Sequence, residues 1–330
     1  MLRIDFSTAD LSRLRIAAEP DPMWELALSL HLLQTRDAAL AFDPWRHQVR
    51  RAVAQEGLAD AVGALMRLCP NAGYFPDFLT PAGGSRDLET GIDAVLSTPR
   101  PRLFAELSMM AARVHQPPGY ARRLAEGDAE TLGRLGAVLR RYYEVAVAPY
   151  QDAVRSSLAA DRAERGCRVL ACGAEGLLES YEPEVTWREG DRLECAYPVD
   201  RDLDLKERPL TLQASFFCVR RPVALADTSL DQVLVYPAGP APGWLAEDRG
   251  DGSCRSVRRL IGATRAEVLE VLAQPMSTTG ISTALRLAPA SASRHAAVLR
   301  EAGLVASRRD GHQVLHVRTS LGDALLEGRG

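Results

Sequence analysis

The residues with the most explicit chemistry lie close together near the C-terminus. Ser291, Ser293, Arg294 and His295 follow Pro289, and Arg308, Arg309, His312 and Gln313 form a second group a short distance on. A guanidinium donates two parallel hydrogen bonds to a base edge or a phosphate, and hydroxyl, amide and imidazole groups supply shorter-range donors and acceptors. From Arg255 to Arg318 there are ten arginines and four acids, a net charge of +6 in a chain of net −3, which leaves −9 for the remainder. A basic segment on an acidic chain fits a phosphate-contacting surface, but charge alone favours a merely solvated face. Charge placed on a complete helix-turn-helix with a wing would instead favour DNA, so the elements that carry it decide.

Thr264-Arg265-Ala266-Glu267 reads as a capping box opening a helix, with Val268, Leu269, Val271 and Leu272 at helical spacing and Gln274-Pro275 as its stop. A second helix fits 277–285, with Ile281, Ala284 and Leu285 on one face. The turn Arg286-Leu287-Ala288-Pro289 leads into a third helix running to Ala302, with proline at the first helical position and Gly303 as the C′ residue. Ala292, Ala296, Val298, Leu299 and Ala302 are its expected buried face. Two β-prone runs follow, 304–309 and 312–318, joined by Asp310-Gly311, a type I′ hairpin signal. Helix, helix, turn, helix and hairpin make a winged helix-turn-helix, whose third helix is expected to enter the major groove. Arg300, Thr278 and Thr279 complete the candidate DNA-contacting set.

The run from Thr283 to Val305, with Ser293-Arg294-His295 and then Val298-Leu299-Arg300-Glu301-Ala302-Gly303-Leu304-Val305, resembles the ArsR/SmtB family of bacterial repressors. The resemblance implies DNA contacts from Ser291, Ser293, Arg294 and His295, phosphate contacts from the wing arginines, and a homodimer. It also implies what is missing. The family's thiol sensors carry Cys-x-Cys on the preceding helix, where this chain has Ser277-Thr278-Thr279, so no soft-metal site is expected. Ala288 stands where a serine cap is common. Only a short last helix, 321–326, is visible as a flanking dimer element, so part of any dimer interface is expected in the N-terminal body. The chain throughout resembles actinobacterial regulators in which a long domain of unknown function precedes such a head.

The rest of the chain sets broader bounds. Its 330 residues, 46% hydrophobic and 25% charged, are those of a globular protein with room for two or three domains. No apolar run reaches the length of a membrane span and the first residues lack a signal-peptide pattern, so a cytoplasmic location is expected. The six cysteines (69, 167, 172, 195, 218 and 254) are scattered and expected to be packed or idle. Residues 2–6 alternate as a strand. Asp21-Pro22 and Asp43-Pro44 each pair an N-cap acid with a first-turn proline, opening helices near 22–34 and 44–55; the first is apolar nearly all round and belongs in the core. Helices near 57–68, 86–97 and 101–115 follow, then a long one over 129–165 kinked at Pro149. The loop 70–81 carries Tyr74, Phe75 and Phe78, which either pin it between helices or let it close over a ligand; pinning is the preferred reading. From 185 the texture becomes strand-like, with a hairpin at 185–197 and strands at 211–219 and 232–236.

The expected fold is therefore α+β: a mainly helical N-terminal body (1–181), a small β-rich region and linker packed on it (182–253) carrying a mainly antiparallel sheet, and a C-terminal winged helix-turn-helix (254–330). Phosphate-cradling glycine loops, Gly-x-Ser-x-Gly and His-Glu-x-x-His are all absent from the sequence, and no enzyme, cofactor or metal is expected. The expected function is a one-component transcriptional regulator, a repressor by the resemblance, that binds double-stranded DNA as a homodimer. The N-terminal body would be its sensor, taking a small-molecule effector, or its oligomerisation region. The alternative is a non-DNA interaction protein that docks a partner protein through the same head.

Overall fold

The computed structural model describes residues 1–113, 119–188, 190–240, 244–245, 252–310 and 313–327, and divides the chain into two compact units, Met1–Trp244 and Leu245–Gly330. The expected linker around 238–254 and His115 lie largely or wholly outside the described residues. The first unit runs β1 (Leu2–Asp5), α1 (Thr8–Leu11), β2 (Arg15–Ile16), α2 (Pro22–Gln34), α3 (Ala39–Gln55), α4 (Ala59–Leu68), α5 (Leu88–Leu96), α6 (Arg100–Ala111), α7 (Ala121–Ala125), α8 (Ala129–Ala146) and α9 (Gln151–Glu179). It continues through β3 (Val185–Arg188), β4 (Arg192–Cys195), β5 (Arg201–Asp204), β6 (Leu210–Ser215), β7 (Val223–Ala224) and β8 (Gln232–Pro237).

Helix α2 is the axis of the helical part. Asp21 caps it, accepting from the Met23 and Trp24 amides at 2.8 and 3.3 Å, while its second oxygen accepts from Ser85 N at 2.9 Å. Eleven of its residues are buried, as an apolar surface on every side requires. Helix α3 departs from expectation: it starts at Ala39 and Pro44 lies inside it. Asp43 does not cap because its carboxylate is bonded to Arg46 at 2.7 Å. Arg46 is 1% exposed and also donates to Leu32 O at 2.8 Å and to Asp37 O. The helix expected over 129–165 is broken rather than kinked, with a 3-10 turn at Ala148–Tyr150 between α8 and α9. Tyr74, Phe75 and Phe78 are all buried, so the aromatic loop is pinned.

The sheet expectation needs correcting. There are two four-stranded sheets, ordered β3-β4-β1-β5 and β2-β6-β8-β7, and both are mixed. β1 pairs antiparallel with β4 and parallel with β5; β6 pairs parallel with both β2 and β8. The physical reason is connection length. Residues 216–231 form a crossover long enough to return β8 alongside β6 in the same direction, which a tight hairpin cannot do. The run Val233-Leu234-Val235-Tyr236 is buried at every position, the pattern of a strand covered on both faces. One apolar cluster joins side chains of both sheets with Leu177 and Leu178 at the end of α9. Among the described residues no helix is long and apolar enough to cross a membrane.

Glu25, 1% exposed on α2, ties the two halves of this unit together. Its carboxylate accepts from Phe216 N at 3.0 Å, Phe217 N at 3.1 Å and Ser215 Oγ at 3.1 Å. Burial nevertheless outweighs these donors and raises its pKa from the ordinary 4.5 to about 7. The folded state thus keeps a proton that the unfolded chain releases, so the stability from Glu25 is fully present below 4.5 and lost as pH rises through about 7. Asp77, pushed up to about 6 by burial, adds a slope of the same sign. All four tryptophans (24, 45, 187 and 244) lie in this unit and report its unfolding. Tryptophan-monitored unfolding of Glu25→Gln is expected to show a shallower loss of stability across that window. At the acid end the variant should be less stable by about 1–3 kcal/mol, since an amide NH2 would face backbone donors. An undiminished slope would assign the titration to other groups.

Candidate nucleic-acid interface

The second unit contains α10 (Gly252–Ile261), α11 (Ala263–Val271), β9 (Met276–Ser277), α12 (Thr278–Leu285), α13 (Pro289–Glu301), β10 (Val305–Asp310), β11 (Gln313–Arg318) and α14 (Ser320–Glu327). The capping box expected at Thr264 is not formed. Helix α11 begins at Ala263, with Gly262 at the N-cap at φ 88° and no side-chain cap, so Thr264 is already inside the first turn. Helix α12 starts one residue later than expected, because Ser277 is its cap, with Oγ accepting from Gly280 N at 3.2 Å. Arg286 turns the chain in the left-handed region (φ 52°), and Ser282 Oγ fixes the turn by donating to Leu287 O at 2.7 Å. Ala288, with no side-chain oxygen, leaves the first turn of α13 uncapped.

One apolar core holds α11, α12 and α13 together: Val268, Leu269, Leu272, Ile281, Ala292, Ala296, Leu299, Leu304 and Val305 are all buried. The buried strip of α13 is narrower than expected. It comprises Ala292, Ala296 and Leu299, whereas Val298 and Ala302, and Ala284 on α12, are exposed. Gly303 at φ 74° ends α13 and lets Leu304 N bond back to Leu299 O at 2.9 Å. Gly322 on α14 has no room for a side chain, since a Cβ there would sit 2.3 Å from Leu304 O.

With about 100° between successive helical residues, this strip fixes where the candidate side chains point. Arg294 lies roughly opposite the core, and Ser293 and Arg300 share one flank; all three are exposed. Ser291 and His295 share the other flank and are half-buried, with His295 Nδ1 enclosed and without a hydrogen-bond partner. Arg308 and Arg309 on β10 are exposed. Thr279 is exposed, and Thr278 beside it is half-buried and bonded within the unit. Gly311, His312 and the side chains of Asp310 and Gln313 lie outside the described residues; Asp310, expected in the turn, stands instead at the end of β10, paired with Gln313.

The positive charge is unevenly available. Arg258 faces Glu267 and Glu270 at 3.7 and 3.5 Å, and Arg318 pairs with Asp323 at 3.0 Å. Among the described residues of this unit Arg294, Arg300, Arg308 and Arg309 enter no ion pair, and neither do Arg259, Arg265 and Arg286, so α13 and β10 carry four of the seven unpaired cations.

β10 and β11 pair antiparallel from Val305↔Arg318 to Asp310↔Gln313, and β9 adds a third strand through Leu315↔Ser277 and His316↔Met276. Sequence reasoning missed α10, β9 and the residue that joins the start of α12 to the hairpin, His316. That imidazole is 5% exposed, with Nε2 3.0 Å from Thr278 Oγ1 and Nδ1 2.8 Å from Ser307 Oγ. A neutral ring satisfies both hydroxyls, donating at one nitrogen and accepting at the other. It therefore locks the start of α12 to the hairpin. The nearest hint in the sequence is a histidine inside an apolar strand, and its partner Thr278 is 38 residues away.

Residues 263–307 match the family model described as "Bacterial regulatory protein, arsR family", so this unit carries an arsR-type helix-turn-helix. No curated protein and no solved structure matches the chain.

Burial, and after it the charge of Arg300, lowers the His316 pKa below the ordinary 6.5. In that case the unfolded chain takes up the proton first. The stability from the neutral ring is present above 6.5 and lost as pH falls below it. Protection factors for amide exchange in α12 and β10 of the full chain, corrected for the intrinsic pH dependence of exchange, are expected to fall from about pH 7.5 to about pH 5.5, and His316→Gln should remove most of that acid sensitivity. Acid sensitivity that survives in the variant would place the responsible group elsewhere.

Proposed function

We propose that the chain is a one-component transcriptional regulator that binds double-stranded DNA through its second unit. The observation that carries this reading is the outward face of α13. On a helix-turn-helix of arsR type, α13 presents Arg294 opposite the core and Ser293 and Arg300 on one exposed flank, with both guanidinium groups in no ion pair among the described residues. In the major groove such a helix offers Arg294 to a base edge and Ser293 to a neighbouring acceptor. The β10–β11 hairpin acts as the wing, with Arg308 and Arg309 on backbone phosphates. Thr279, at the start of α12, adds a phosphate contact, while Thr278, bonded to His316, positions that end of the helix. Ser291 and His295 contribute at the edge of the interface.

The regulator acts as a homodimer on a pseudo-palindrome with half-sites about one helical turn, roughly 34 Å, apart. Support for dimerisation comes from α10 and α14, which pack on each other and expose Leu260 (74%) and Leu321 (57%). Apolar side chains this accessible on adjoining helices suit a second copy of the same face. The first unit serves as the sensing part, and its cavities support that role. On this reading the chain represses from within the cytoplasm and catalyses nothing.

An anisotropy titration of the full chain against random-sequence duplex at two salt concentrations tests the proposal. Affinity should fall steeply with salt, and Arg308→Ala and Arg309→Ala should each weaken binding on all sequences and reduce the salt slope by about 1. Arg294→Ala should cost about 1–3 kcal/mol on a preferred site and relax specificity at one position. Binding without salt dependence, or none, would favour a protein-docking role for the head.

A further inference from the structure

A cavity of about 460 Å³ opens in the first unit between α2, residues 71–77 and residues 217–226. Its walls are apolar, formed by Leu28 and Leu32 of α2, Phe75, Phe217 and Val223. The walls are also fixed in place. Glu25 holds the Phe216 and Phe217 amides, Asp77 accepts from Ala226 N at 3.0 Å and Asp227 N at 2.7 Å, and Tyr197 donates to Ala224 O at 3.1 Å. Preformed apolar clefts of roughly 300–1,000 Å³ with few polar groups are the usual form of a small-molecule site.

The polar groups define what such a site would take. His31 is enclosed by protein, yet its ring stays partly accessible because it lines the cavity. It stands edge-on to Phe75 at 5.1 Å, with Nε2 3.4 Å from Cys69 Sγ. Burial lowers its pKa to about 4, so it enters as a neutral ring. The Asp77 carboxylate, charged above about pH 6, is already met by the Ala226 and Asp227 amides, so both its oxygens have fixed donors before a ligand enters. At the rim the balance is positive. Arg220, held in the left-handed region at φ 66°, pairs with Asp37 at 2.8 Å, and Arg221 is exposed and in no ion pair among the described residues. An arginine at positive φ is uncommon outside constrained loops and directs this rim segment.

We propose that this cavity binds a small organic anion with a flat apolar body, the ring lying against Phe75 and Phe217 and the anionic group held by Arg221 and Arg220. The site deepens, and rests on, the reading of the first unit as the sensing part. A neutral ligand would leave Arg221 without a partner, and a cation would face a net positive rim. A flat body suits a wall that carries two aromatic side chains, and the neutral His31 ring lining the same cavity can add one directional hydrogen bond.

Anilinonaphthalene sulfonate is a suitable probe because it joins a flat apolar body to one anionic group and brightens when it leaves water. Titrated into the full chain, it should occupy one saturable site and be displaced by naphthoate but not by naphthalenemethanol at equal concentration. Arg221→Glu should weaken the probe by about tenfold, whereas Asp37→Asn, which releases Arg220, should tighten it several-fold. Opposite effects from two surface substitutions cannot come from loss of folding, and unchanged thermal melting of both variants should accompany them. Unsaturable binding, equal competition by the neutral alcohol, or equal affinity in all three proteins would overturn the site. Duplex binding measured on the same samples keeps the two readings apart. Duplex binding without a saturable anion site rejects the cavity assignment alone, and an anion site without duplex binding rejects the DNA reading while leaving the site standing.

Discussion

Close packing through Ala292 and Ala296 is the constraint on which the C-terminal unit depends. Both are buried, and with Leu299 they are the whole of the α13 surface that enters the core. Side chains this short let α13 settle against α11 and α12, and a longer one at either position would have to displace Leu269, Leu272 or Ile281 from a filled interior. So narrow a strip leaves most of the helix circumference to solvent, and Arg294 faces outward because nothing on the opposite side permits another rotation. The hairpin is held to the same frame from the other end by His316, which binds Thr278 and Ser307 at once. Two small residues and one buried imidazole thus set where the unpaired arginines of α13 and β10 stand.

In the first unit, buried carboxylates do comparable work on irregular backbone. Asp21 binds Ser85, Asp77 binds Ala226 and Asp227, Glu106 accepts from Phe78 N at 2.6 Å, and Glu25 binds Phe216 and Phe217. Each takes amide donors that neither a helix nor a sheet could satisfy, which allows loops to run through the interior without orphaned polar groups. Desolvation raises the pKa values of Asp21, Glu25 and Asp77 despite those donors. Two of the segments held in this way, 71–78 and 216–227, line the cavity, so its shape is a consequence of the same contacts.

The parts legible in the sequence were those with local causes. Helix α2 announced itself through Asp21-Pro22 and its all-round apolar surface, and the end of α13 through Gly303. The tight hairpin of β3 and β4 followed from alternation. Reading failed where a distant group took over a local signal. Asp43 looked like a cap and is bonded to Arg46; Thr264 looked like a cap and is preceded by Gly262 at positive φ. The parallel pairing of β6 with β8 was hidden because direction depends on the path of the crossover and not on the strands themselves. Within the candidate interface, residue types gave the positions of Ser293, Arg294, Arg308 and Arg309. Ala292, Ala296 and Leu299 were legible as part of the buried face of α13, whereas the exposure of Val298 and Ala302, and the fixing of Thr278 by His316, required the fold. The arginine pair at the cavity rim carries no motif at all, since its partner Asp37 is far away in sequence.

The central claim is that the outward face of α13 reads duplex DNA, and selection from a random duplex library by the purified full chain tests it most directly. The account requires enrichment of an inverted repeat with half-sites about one helical turn apart. Substituting Arg294 should blur one position within each half-site and leave the spacing intact. A library that emerges unenriched, or one whose enriched motif is unchanged when Arg294 is replaced, would contradict the account.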